Sequence, residues 1–158
     1  MKKSLLILLL FHYFLSQGQV FRPVEIQARL ADLENVNGVA VADIDGDHDL
    51  DFFAVIRRAN SRNKESRLFL NNNDGTFSDI TASSGINSAF SYGDFAIDEN
   101  MGMQMGASWG DFDNDGLPDL LLTSVFHIEL YKNEGNATFT KITAQANIPE
   151  ENDCWNVG

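Results

Sequence analysis

Two short stretches of this chain concentrate residues able to do chemistry. Asp111-x-Asp113-x-Asp115-Gly116-x-x-Asp119 places acids at positions 1, 3, 5 and 9 of a loop, with glycine at position 6. Alternate side chains of a tight loop point toward one centre, so positions 1, 3 and 5 converge their carboxylates. The carbonyl of position 7, Leu117, is expected to turn inward, and Asp119 to close the shell. A shell of about six to eight hard oxygen ligands suits Ca²⁺, whereas Mg²⁺ demands stricter octahedral geometry and keeps more water. Gly116 supplies the positive φ that the sharp turn needs.

A second copy lies upstream. Asp43-Ile-Asp45-Gly-Asp47-His-Asp49-Leu-Asp51 keeps acids at positions 1, 3, 5 and 9, adds Asp49 at position 7, and puts His48 where the other loop has glycine. Histidine tolerates left-handed backbone better than most residues, and a turn position aims its ring outward. Neither loop is an EF-hand. That motif needs a bidentate Glu at position 12 between two helices; here position 12 is Ala54 or Leu122, each in a strand-like run.

The elements that must position these loops follow from a repeat. GVAVADIDGDHDLDFFAV, from Gly38, aligns without a gap on GASWGDFDNDGLPDLLLT, from Gly106, at an offset of 68; FLNNNDGTFSDIT, from Phe69, aligns on YKNEGNATFTKIT, from Tyr131, at an offset of 62. The difference falls in the variable stretch around Arg57 to Arg67, as expected of stacked units with one length-variable surface loop. Each unit reads as four short strands rich in Val, Ile, Phe and Thr, bounded by turn clusters such as Asn73-Asp74-Gly75. The first set spans about 38–42, 50–56, 67–71 and 76–81; the second spans about 106–110, 119–126, 128–133 and 138–143. No segment sustains a 3.6-residue apolar period, so little helix is expected. The fold class is all-β, with four-stranded blades of a β-propeller and about two blades present. Trp155 to Gly158 resembles Met103 to Gly106, so a third unit is expected to begin at 155–158 and the chain to be the N-terminal part of a longer protein.

Residues 1–18 read as an export signal rather than as part of the fold. Lys2 and Lys3 precede an apolar run from Leu5 to Leu15, and Ser16 and Gly18 place small residues at the −3 and −1 positions of a cleavage site. Such a run is too short for a hydrocarbon core needing about 20 residues, so no membrane insertion of the mature chain is expected. The repeat region is then 19–158, with repeats at about 38–86 and 106–148. The whole chain carries −12, from 11 basic and 23 acidic residues, and loss of Lys2 and Lys3 leaves 9 against 23, or −14. This excess argues against nucleic acid or anionic membrane as a partner. Nine acids crowd into residues 43–51 and 111–119, which repel themselves unless a cation is present. Cys154 is the only cysteine, so no disulfide framework exists.

The segments GVAVADIDGDHDLDFF, RLFLNNNDGTFSDITASSGI, MGASWGDFDNDGLPDLLL and ELYKNEGNATFTKIT resemble the FG-GAP, or VCBS-type, repeat family, whose members form integrin-α-like β-propellers. The pairing of an aspartate loop with an L-x-N-N-x-D-G-T-F-x-D-I-T strand pair is most similar to the secreted cartilage acidic protein group. The resemblance implies Ca²⁺ ligands at Asp43, Asp45, Asp47, Asp49 and Asp51, and at Asp111, Asp113, Asp115, Leu117 and Asp119. It also implies a complete propeller of about seven blades. Two departures stand out: His48 replaces a common glycine, and Ala137 replaces the glycine matching Gly75.

The function expected is that of a secreted or cell-surface, calcium-binding scaffold, non-catalytic, holding an extracellular protein or glycan in adhesion. The insertion from Asn87 to Gln104, with Phe90, Tyr92 and Phe95, is the candidate contact loop, or else an ordinary inter-blade connection. The alternative is a non-catalytic propeller segment of a larger extracellular enzyme such as a polysaccharide lyase or hydrolase. No Ser-His-Asp layout or carboxylate pair outside the loops supports catalysis in this segment itself.

Overall fold

A computed structural model describes residues 23–33, 36–56, 66–86, 104–124 and 128–148. The signal-like segment, the insertion 87–103, His127 and Cys154 lie outside the described residues. Eight strands run in chain order: β1 (Val36–Ala42), β2 (Asp51–Ile56), β3 (Arg67–Asn71), β4 (Phe77–Asp79), β5 (Gln104–Gly110), β6 (Asp119–Ser124), β7 (Ile128–Asn133) and β8 (Phe139–Lys141). They form two four-stranded antiparallel meanders, β1-β2-β3-β4 and β5-β6-β7-β8. The expected all-β blades are therefore present, and the only described helix is the single turn α1 (Thr81–Ser84).

The repeat extends to register. Val39 pairs with Ala54 as Ala107 pairs with Leu122, and Phe52 faces Phe69 as Leu120 faces Tyr131. Even the irregularity in the first strand recurs, between Val36 and Gly38 and between Gln104 and Gly106. The fourth strands are shorter than expected because the Ile-Thr segment that follows each has another task. The Thr81 hydroxyl accepts the Leu68 amide at 3.0 Å, and the Thr143 hydroxyl accepts the Leu130 amide at 3.0 Å. Each threonine thus satisfies a third-strand donor from beyond the end of the fourth, while the Ile80 and Ile142 amides still donate to the Leu68 and Leu130 carbonyls.

One core lies between the two blades. Phe53, Val55 and Leu68 of the first pack with Leu120, Leu122, Tyr131 and Phe139 of the second, with Ile44 from the first aspartate loop. Period-two alternation sends these residues to facing sides of neighbouring sheets. The first strand of the second blade, β5, lies against β1 and β2. On the first blade's other face, Phe52 stacks on Phe69 with centroids 4.8 Å apart and meets Phe77 edge-on at 5.0 Å. Segment 23–33 is tied to this blade where the Ala28 carbonyl accepts the Phe77 amide and Asp32 pairs with Arg67 at 2.8 Å.

Candidate metal centre

Each aspartate loop joins the first strand of a blade to the second, β1 to β2 and β5 to β6. Backbone strain marks both at matched places. His48 has φ 75° where Gly116 has 91°, and Gly46 has 83° where Asn114 has 59°. His48 thus adopts the left-handed geometry expected of it, and its side chain is 94% exposed.

The loops are held by one carboxylate each, at position 9. Asp51 and Asp119 are both 1% exposed. Asp51 accepts the Ile44 amide at 3.0 Å on one oxygen and the Asn71 amide at 2.9 Å on the other. Asp119 does the same with Phe112 at 3.0 Å and Asn133 at 2.8 Å. A buried carboxylate that receives two amides is a clamp, fixing the loop's second residue to the end of the third strand. Burial raises the Asp51 pKa, and the two amides oppose that rise.

Asn71 and Asn133 complete the clamp and were not singled out from sequence. Besides their amides, their side chains donate to the carbonyl at position 8, Leu50 at 3.3 Å and Pro118 at 3.1 Å. The fully buried Asn133 also reaches the Ile44 carbonyl at 2.9 Å, locking the first loop to the second blade. The available signal was an asparagine ending both third strands at one repeat position.

Around these clamps the acids cluster as expected in part. Asp43, Asp45 and Asp51 bring one carboxylate oxygen each within 4.8 Å of one another, and so do Asp111, Asp113 and Asp115. Asp47, Asp49 and Asp119 are not in these groups. The Asp47 carboxylate accepts the Asp49 amide at 3.0 Å, both oxygens of Asp119 are used by amides, and the Leu117 amide donates to Asp115 at 3.0 Å. Asp43 and Asp111 each receive two amides of their own loop, from Gly46 and His48 and from Asp115 and Gly116.

Asp49 tests whether a cation fits. Both its carboxylate oxygens are enclosed, and neither meets a hydrogen-bond donor among the described residues. Enclosure first, and then the charges of Asp47, Asp45 and Asp43, raise its pKa. An enclosed anion beside three others, with no donor, is the arrangement a divalent cation would satisfy. All donors present are hard oxygens, which fit Ca²⁺ or Mg²⁺ rather than a thiophilic metal.

The second loop has a cation of its own. Lys132, unforeseen from sequence, donates from its ammonium to Asp113 and, at 2.7 Å, to Asp115. Its contacts with these carboxylates raise its pKa, and the same ammonium lowers that of Asp115.

The FG-GAP-like repeat model matches residues 53–122 and again 111–158. The chain belongs to that family. Each match in this FG-GAP-like chain takes in the second aspartate loop, the first reaching it from β2 and the second starting at Asp111. No curated protein matches the chain.

Proposed function

We propose that this FG-GAP-like chain is a secreted or cell-surface propeller scaffold, non-catalytic, whose aspartate loops bind Ca²⁺ and whose surface holds an extracellular protein or glycan. The observation that carries the metal reading is the enclosed, donorless carboxylate of Asp49 among Asp43, Asp45 and Asp47. In this reading Asp43, Asp45 and Asp49 hold the first ion, with Asp47 at the rim and Asp51 beside them serving mainly as the clamp. Asp111, Asp113 and Asp115 hold the second, with the Leu117 carbonyl, and Asp119 serves mainly as the clamp. The bound ion supplies charge neutralisation and rigidity; the chain's own residues supply a preformed loop. The export reading rests on the basic and apolar pattern of residues 1–18. Among the described residues, no helix is long and apolar enough to cross a membrane.

Calorimetric titration of the full chain with CaCl₂ tests the metal reading. Two sites are expected, with MgCl₂ much weaker, and Asp113→Ala is expected to remove the second site while sparing the first. No heat at millimolar CaCl₂ overturns it.

A further inference from the structure

The two loops are not equivalent, and one side chain makes most of the difference. Lys132 stands on β7, and its matched position on β3 is Leu70, which packs against the inter-blade core. The Lys132 side chain is only 25% exposed, so its ammonium is held against the carboxylates rather than left in solvent. Position 7 departs in the same direction, with Asp49 in the first loop against Leu117 in the second. Counting formal charges, the first loop has five aspartates, or −5. The second has four aspartates and a lysine, or −3. Among the described residues, the basic group near the first loop is the His48 ring, 3.6 Å from Asp43 and facing solvent.

We propose that the Lys132 ammonium is the resident cation of the second loop, neutralising it without metal and competing there with any divalent ion. The competition rests on the loops being divalent-cation sites; the neutralisation does not. An ion entering the second loop must break two charge-assisted hydrogen bonds and move a tethered ammonium aside. The tether keeps that competitor at high local concentration however dilute the protein is. The first loop offers an incoming ion more negative charge and, among the described residues, no such competitor. It is therefore the tighter site and the one whose order depends on metal.

The test is calorimetric titration of the full chain with CaCl₂ at fixed ionic strength, paired with thermal melts in EDTA. The proteins are wild type, Lys132→Met and Lys132→Arg. Wild type is expected to show two unequal sites. Lys132→Met is expected to strengthen the weaker one by about tenfold or more, the affinity ratio that 1.4 kcal/mol represents. In EDTA, Lys132→Met is expected to lower Tm and Lys132→Arg to hold it. Should Lys132→Met not fold, Lys132→Gln carries the test, keeping a polar side chain at the position without the charge. Two equal sites unchanged by Lys132→Met, with an unchanged melt in EDTA, overturn the inference and leave the metal reading intact. No calcium heat in any variant overturns the metal reading. If Lys132→Met alone then still lowers Tm in EDTA, the resident cation is supported.

Discussion

The two blades share a backbone and differ in what leans on them. The first blade's core-facing side is covered by the second, and three matched positions register this. Ile44, at position 2 of the first loop, is fully buried, while its counterpart Phe112 is 46% exposed. Gly85 and Asn147 both close their blades with positive φ, at 81° and 55°. A Cβ on Gly85 would meet the Phe139 carbonyl oxygen of the second blade at 2.4 Å. Leu70 packs into the core, whereas Lys132 turns to the acids of its own loop. One architecture thus accepts opposite residue types depending on whether a neighbour covers the position. Charge shows the same freedom, since the Arg67–Asp79 pair across the first blade is replaced by Glu129–Lys141 in the second with signs exchanged.

The largest expected effect falls where the blades do not differ. Asp119→Ala leaves the Phe112 and Asn133 amides without an acceptor, two bonds to a charged group worth about 1.5–3 kcal/mol each. A loss of about 3–5 kcal/mol is expected in EDTA as well as in calcium, measured by denaturant unfolding. Asp51→Ala is expected to behave alike. A loss confined to calcium buffer would make these residues ligands and not clamps.

Next in size is the test of coverage. Gly85→Asn combines left-handed strain with a backbone collision, and about 2–4 kcal/mol of destabilisation is expected. Asn147→Gly makes the reciprocal change at a position with no such collision, and a change within about 0.5 kcal/mol is expected. Equal effects on thermal melts would mean that coverage by the second blade is not what selects glycine at 85.

The smallest effect concerns pH in metal-free buffer. Enclosure and neighbouring acids raise Asp49 above the ordinary 3.8. The folded chain then binds a proton that the unfolded chain releases, so stability declines as pH rises from about 3.8 through the raised folded value and is flat above it. Asp115 has the opposite sign. Lys132 lowers its pKa, so its contribution is present above 3.8 and lost as pH falls through the lower folded value. Asp49→Asn is expected to reduce the first slope in EDTA, leaving the share of the likewise raised Asp51, and to weaken calcium binding at the first loop. An unchanged pH profile of Tm would show that the carboxylate is not confined as described.

Local pattern made the blades legible in sequence. Alternating β-branched and aromatic runs, turn clusters and matched aspartate spacing depend on neighbours a few residues apart, and the 68- and 62-residue offsets carried that pattern from one unit to the other. His48 could be placed in left-handed backbone because Gly116 stands at its position in the other copy. Contacts between strands were decided only by the tertiary structure. Spacing alone lets Asp119 close a metal shell; that its oxygens accept the amides of Phe112 and of Asn133, fourteen residues away, comes from the strand pairing. Asn133 reaches 89 residues back to the Ile44 carbonyl. Lys132 reads in sequence as a solvated strand residue, and only the return of β7 beside β6 brings its ammonium to Asp113 and Asp115. Spacing along the chain fixes which carboxylates can converge. Which of them are already occupied depends on donors from other strands, and packing alone brings those into range.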